Sequence, residues 1–480
     1  EELKPEIIFD MFRKISEIPR GSGNESAVGE FVMKTACDHG HSAVRDGSGN
    51  VFVRANATPG YEDHEPIALQ GHLDMVCEAN ASVGHDFLRD PIKLMLNGDL
   101  LTADGTTLGA DDGCAVAIML SILSSDDIPH PQLECLFTTE EETGMGGMRG
   151  FNPGWLRSKR LLNLDSAGEF EATAACAGGV RSHIFFPLDG MTELKDGYSV
   201  FSVSLGGLFG GHSGEDINLG RKGAVATLAR ILYSAAKQCD LEITSYEGGS
   251  RDNAIPRECS AVAAVPCEQA ECFIHAIRAE EEKIREELVA DDCGMMLDTV
   301  ATDPDGKLFL GTADSKKFIS LLRTVPNGVH SMSRDVDGLV ETSSNLAVVR
   351  RVGDEAEIVV SSRSSRGSQL DDLQNRLECA AQLAGCRITH TDRYPGWDFT
   401  KDSGMQKLYL DAVKRMFGVD AKIIGIHAGL ECGLLKDKKP DMDMISIGPD
   451  IKNLHSPDEV MSVSSFARLY ELVKLILSLA

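Results

Sequence analysis

Five stretches of the chain place histidines and carboxylates where metal ligation or proton transfer could occur. They are Gln70-Gly71-His72-Leu73-Asp74, Leu108-Gly109-Ala110-Asp111-Asp112-Gly113, Thr138-Thr139-Glu140-Glu141-Glu142-Thr143-Gly144, Asn163-Leu164-Asp165-Ser166 and His455-Ser456-Pro457. Two histidines with several carboxylates and no cysteine suit zinc, manganese or cobalt, and suit a catalytic rather than a structural site. Taken singly, each stretch has a plainer explanation. A lone histidine or aspartate after a strand is usually a turn or cap residue. Asp111 alone could cap a helix, and Glu140-Glu141-Glu142 alone reads most simply as a solvated acidic turn. Five caps, however, would not need two histidines and two paired-carboxylate stretches at strand ends.

The elements that must position these residues follow from hydrophobic periodicity. Residues 9–18 and 26–37 read as amphipathic helices, and 51–55 and 67–70 as strands. A small-residue apolar helix over 113–124 precedes strands at 133–138 and 160–164. This strand–helix alternation predicts an α/β architecture with a largely parallel sheet flanked by helices. Ligands in open α/β sheets collect at the carboxyl ends of strands, so the five stretches can converge although they run from His72 to His455.

The pattern changes near Ala177-Gly178-Gly179. Strands at 198–205 and 356–361 and long charged helices over 268–289 and 369–383 predict a separate α+β domain with one solvated sheet face. After Tyr394-Pro395-Gly396-Trp397 the α/β pattern resumes, with a helix over 401–417, strands at 422–426 and 442–447 and a closing helix over 462–479. The expected division is therefore 1–179 with 394–480 as one domain, and 180–393 as a domain inserted into it.

Composition bounds the partners. The 480 residues carry 47 Lys+Arg against 74 Asp+Glu, a formal charge of −27, which argues against nucleic acid and anionic membrane surfaces. No apolar run approaches the roughly 18–20 residues of a membrane span, and Glu1-Glu2-Leu3-Lys4 does not read as a signal peptide. The 13 cysteines, an odd number without a Cys-x-x-Cys pair, fit buried free thiols in a reducing cytoplasm.

The motifs also resemble a known family. Gly71-His72-Leu73-Asp74-Met75-Val76-Cys77, Leu108-Gly109-Ala110-Asp111-Asp112-Gly113 and Leu162-Asn163-Leu164-Asp165-Ser166 are similar to those of the di-zinc peptidases that include aminoacylases, glutamate carboxypeptidases and carnosinases. Gly210-Gly211-His212-Ser213-Gly214, Asp252 to Glu258, Ser344-Asn345-Leu346, Ile426 to Gly433 and His455-Ser456-Pro457-Asp458-Glu459 resemble the bacterial aminoacyl-histidine (Xaa-His) dipeptidase branch of that family. The resemblance runs in order over nearly the whole chain. It implies a catalytic domain interrupted by an inserted lid domain.

Carried over by position, the resemblance implies that Asp111 bridges two divalent ions, zinc above cobalt or manganese. It gives His72 and Asp165 to one ion and Glu142 and His455 to the other, leaving room for a shared water. Glu141 resembles the general base, and Asp74 the carboxylate that holds the His72 imidazole. In the inserted domain His212 is expected to stabilise the oxyanion, and in dimeric relatives this histidine serves the partner's site. Asn253 is expected to hold substrate, and Arg363 suits a substrate carboxylate, although an arginine on a polar strand is also an ordinary surface residue. His427 receives no role.

Four departures from the branch stand out. It more usually has Asp-Asn-Gly at 111–113, Asp-Glu-Glu at 140–142, a longer turn after Asp165 and an arginine where this chain has Phe209. The second departure leaves the register of base and ligand open by one residue, and the spacing to Thr143-Gly144-Met145 favours Glu141 and Glu142. The function expected is a cytoplasmic, homodimeric metallopeptidase that hydrolyses unblocked dipeptides, Xaa-His and carnosine among them. The alternative is an aminoacylase or deacetylase acting on N-acyl amino acids.

Overall fold

The computed structural model describes residues 3–304 and 306–480. The N-terminal Glu1 and Glu2, part of the stretch read above as unlike a signal peptide, lie outside them. The chain divides into two compact units, one of residues 1–176, 397–425 and 430–480, the other of 177–396 and 426–429.

The first unit is built on an eight-stranded mixed sheet. At its centre, Leu133–Thr138, Ile67–His72, Arg160–Asn163 and Asp443–Ser446 run parallel, in that spatial order. Antiparallel strands Val51–Ala55 and Ser42–Arg45 extend one side, and Glu171–Cys176 pairs antiparallel on the other. Ile67–His72 and Leu133–Thr138 are buried at every residue, as parallel strands covered on both faces should be. The helix Ala110–Leu123 is buried throughout from Gly113 onward, so it is apolar all round instead of amphipathic. The helices Glu6–Ser16 and Val463–Leu479 pack in the same core, where Phe466 meets Phe9 and Phe12 edge-on.

A second, four-stranded sheet in this unit joins Leu94–Asn97, Leu100–Ala103, Ile451–Lys452 and Val460–Ser462. Its consequence is local: the loop bearing His455 is strung between two paired strands. Ser462 then caps the last helix, its side chain accepting the Ser465 N–H.

The second unit carries a nine-stranded sheet, antiparallel at every recorded pairing. Helices Ala224–Ala236, Ala270–Glu286, Thr312–Thr324 and Gly367–Leu383 join the sheet in one apolar core. The fold is thus an α/β domain interrupted by an α+β domain.

All the cysteines are free thiols, but only Cys114, Cys135, Cys176, Cys239, Cys259 and Cys432 are buried. Cys37, Cys272 and Cys379 lie exposed on helices, so the expectation of buried thiols holds only for the sheets and core-facing positions. Among the described residues no helix is long and apolar enough to cross a membrane.

Candidate active site

The carboxyl ends of the parallel strands and two neighbouring loops bring five predicted side chains together in the first unit. His72 ends its strand, and its Nε2 lies 2.9 Å from Asp111 Oδ1 and 3.7 Å from Asp165 Oδ1. Asp165 follows two residues after the strand Arg160–Asn163. Asp111 Oδ2 lies 3.3 Å from His455 Nε2, which in turn lies 3.1 Å from Glu142 Oε1. Asp111 therefore faces both imidazoles, one through each oxygen.

Asp111 is not the helix cap that its position alone suggested. Gly109 takes the cap position in the left-handed conformation, and Asp111 has extended backbone angles inside the first turn, joined to Asp112 by a cis peptide bond. The aspartate is free to point its carboxylate at the histidines because it does not spend it on the helix N-terminus.

Asp74 lies beneath this group, fully buried. It accepts hydrogen bonds from Ser22 Oγ at 2.7 Å and from the N–H groups of Glu141 and Glu142 at 3.1 and 3.2 Å. Its Oδ1 is 3.5 Å from His72 Nδ1, the nitrogen opposite the one that faces Asp111. His72 Nδ1 lies nearer still to the Asp74 backbone carbonyl, at 3.1 Å, so Asp74 orients the imidazole through its main chain as well as its side chain while its carboxylate gathers the acidic turn. These donors and the facing imidazole outweigh burial and push Asp74 down to about 2.

Charge in the cluster is far from balanced. Burial would lower His72, but the charge of Asp165 and hydrogen bonds to Asp111, Asp165 and Asp74 hold it well above its ordinary value. Asp111 and Glu142 push His455 up to about 10. Burial raises Asp165 to about 6 and Glu141 well above the usual carboxylate range. Asp111, despite its burial, is held far down by His455 and His72.

The donor set fits divalent cations. Ligand atoms of Asp111, Glu142 and His455 all lie within 4.8 Å of one another, as do those of His72, Glu141 and Glu142 and those of His72, Asp112 and Asp165. Glu142 Oε1 is buried and accepts no well-aligned hydrogen bond among the described residues, His455 Nε2 meeting it only as a facing charge at 3.1 Å, so a cation held between the two would satisfy it. Imidazole with carboxylate and no thiolate matches a catalytic metal.

Sequence reasoning missed several supporting residues. Asp112 Oδ2 accepts the His72 N–H at 3.0 Å, so it ties the strand end to the helix start. Glu431 is fully buried and accepts from Gln70 Nε2 at 2.6 Å and Thr138 Oγ1 at 2.5 Å, while Asn163 Nδ2 donates to Gln70 Oε1. Asp112 and Glu431 stood inside motif stretches without a role being read for them, and Gln70, Thr138 and Asn163 showed as polarity inside otherwise apolar strands.

His212, Asn253 and Arg363 belong to the second unit. His212 pairs with Ala254 in a two-residue ladder, its N–H donating to Asp216 Oδ2 at 2.8 Å, and the Asn253 carbonyl accepts the Ser213 N–H at 2.9 Å. Arg363 donates to the Tyr394 hydroxyl at 3.1 Å, and its Nε is buried without a hydrogen-bond partner among the described residues. His427, given no role from sequence, shares a 2.7 Å hydrogen bond with Ser343 Oγ. Burial and the Arg363 charge push His427 down to about 3 and also lower His212.

A mixed α/β sheet with imidazoles and carboxylates gathered at its strand ends is the architecture of a metal-dependent hydrolase. Comparison with known proteins makes the class definite. Residues 68–479 match the model of peptidase family M20/M25/M40, and the chain belongs to that family. It is 37% identical over 474 residues to the cytosol non-specific dipeptidase of Escherichia coli K12, covering 98% of this chain and 97% of that one. It is 37% identical to the crystal structure of the aminoacylhistidine dipeptidase of Vibrio alginolyticus, with a TM-score of 0.93 over 99% of this chain and 97% of that one. The aminopeptidase PepT of Bacillus cereus shares the fold at 15% identity, with a TM-score of 0.58 over 100% of this chain and 99% of that one.

Proposed function

We propose that the protein is a cytoplasmic, homodimeric dipeptidase that hydrolyses the peptide bond of unblocked dipeptides, Xaa-His substrates such as β-alanyl-histidine (carnosine) among them. The observation that carries this reading is the convergence of His72, Asp111, Glu142, Asp165 and His455 in a chain whose two relatives at 37% identity over nearly the full length are named as dipeptidases.

Two divalent ions, zinc before cobalt or manganese, would be held by His72 and Asp165 on one side and Glu142 and His455 on the other, with Asp111 between. When bound they supply Lewis acidity, lowering the pKa of a water and stabilising negative charge on the carbonyl oxygen. The chain's own residues do the rest. Asp74 fixes the tautomer of His72 by facing Nδ1, so that Nε2 is free to face Asp111. Glu141, adjacent to Glu142 and with its N–H anchored on Asp74, accepts a proton from the attacking water and delivers it to the leaving amine. From the second unit His212 stabilises the oxyanion, while Asn253 and Arg363 hold the substrate. The buried Arg363 Nε, without a hydrogen-bond partner among the described residues, supports a role in binding a carboxylate.

Turnover of alanyl-histidine and β-alanyl-histidine compared with N-acetyl-histidine tests this reading. Release of histidine from the free-amine substrates alone is expected. Cleavage of the acetylated substrate alone would instead make the protein an aminoacylase.

A further inference from the structure

Arg20 and Glu459 are two further buried charged side chains of the first unit, and their hydrogen bonds go to backbone next to the proposed ligands. Arg20 is 2% exposed and lies past the end of the first helix, Glu6–Ser16. Its Nη1 donates to the carbonyls of Leu73 and Asp74, both at 2.9 Å, and its Nη2 to the carbonyl of Gly109 at 2.5 Å. Leu73 follows His72, and Gly109 precedes Asp111 by two residues. One guanidinium therefore ties two ligand loops, and the Arg20 carbonyl accepts the Met75 N–H at 3.1 Å, binding the same loop again.

Glu459 approaches the same loop by a different set of backbone groups. It too is 2% exposed, and it sits four residues beyond His455. Its Oε2 accepts the N–H groups of Leu108 at 2.8 Å and Gly109 at 3.0 Å, and its Oε1 accepts that of Ala110 at 2.8 Å. The peptides around Gly109 are thus held through their N–H groups by a carboxylate and through a carbonyl by a guanidinium. Three donors converging on two oxygens demand an acceptor-only group, which a glutamine amide cannot be.

The motif glycines make room for this arrangement. A Cβ on Gly109 or on Gly113 would lie 2.7 Å from Arg20 Nη2, and Gly109 has a φ of +68°, a left-handed conformation that favours glycine. Stability alone is a weak reason for burying such a pair, since apolar side chains of similar volume often stabilise as well or better. What apolar residues could not supply is the fixed spacing of three loops.

We infer that Arg20 and Glu459 are positioning residues that hold the loops of His72, Asp111 and His455 in register for metal binding. The inference rests on the reading of those three residues as ligands.

The test is zinc affinity of the full-length protein, measured by competition with a chromophoric chelator, for Glu459→Gln and Arg20→Lys. Both conservative variants are expected to bind zinc about 10–100-fold more weakly. At saturating zinc they should recover more kcat than at limiting zinc, with KM little changed. Val473→Ala, a truncation at a fully buried apolar position of the last helix, serves as control and should lower thermal stability without moving zinc affinity. Wild-type zinc affinity in both variants, or a weakening no greater than in Val473→Ala, overturns the inference. Asp111→Asn separates the two levels. If it weakens zinc binding while Glu459→Gln and Arg20→Lys do not, only this inference fails. If it leaves affinity unchanged, the ligand reading fails with it.

Discussion

Asp74 illustrates how much one buried carboxylate can organise. It collects a serine hydroxyl and two successive N–H groups of the acidic turn while facing His72 Nδ1, so Glu142, proposed as a ligand, and Glu141, proposed as the base, inherit their placement from it. Because Glu141 is anchored through its backbone, Glu141→Gln should leave zinc stoichiometry unchanged and lower kcat by about 10²–10⁴-fold. Metal analysis beside steady-state kinetics checks both halves, and a variant with near-normal kcat would remove Glu141 from the mechanism.

Glu431 offers a second test at this scale. Burial outweighs its hydrogen bond from Thr138 and raises it to about 8, against roughly 4.3 in an unfolded chain. Between those values the folded protein binds a proton that the unfolded chain has released, so this group's contribution to stability falls as pH rises through that window. Glutamine keeps the acceptor oxygen for Gln70 and Thr138 but does not titrate. The chelated Glu431→Gln variant should therefore gain thermal stability over wild type progressively from about pH 5 to pH 8. Melting curves that stay parallel across that range would contradict the raised value.

Among the elements, those with strong patterns were legible from the residues alone. The strands at 133–138 and 422–426 occur with the expected bounds, because short apolar runs there are closed by clear turn or motif residues. The helix read as beginning at 113 holds: its span opens at Ala110, but Asp111 and Asp112 are non-helical, and continuous helical backbone begins at Gly113. The four-stranded sheet that suspends His455 was not legible, its strands being two to four residues long and largely exposed on one edge. Arg20 and Glu459 were illegible for a different reason: their partners are backbone groups, and sequence pattern does not reveal which carbonyls or N–H groups a buried charge will meet.

The strand–helix packing behind the site gives a prediction at this scale. A Cβ on Gly71 would sit 2.4 Å from both the Ala115 Cβ and Asp112 Oδ2. Gly71→Ala should push the strand bearing His72 away from the helix Ala110–Leu123, costing about 1–3 kcal/mol of stability and part of the metal affinity. Thermal unfolding with and without zinc separates the two effects. An alanine variant with wild-type stability would show that the contact is slack.

For the whole molecule, the five proposed ligand side chains come from segments scattered between His72 and His455, so bound metal should cross-link most of the first unit's sequence. Ions that bind only the folded state raise its apparent stability. Chelation should lower the melting temperature and zinc should restore it, with Asp111→Asn responding far less. The proposed homodimer should sediment with the mass of two chains at working concentration, and a single-chain mass would restrict His212 to its own subunit. The central claim is metal-dependent dipeptide hydrolysis, and histidine release from alanyl-histidine before chelation, after it and after return of zinc tests it most directly. The account predicts release that chelation abolishes and zinc restores. Release that survives complete removal of metal would contradict it.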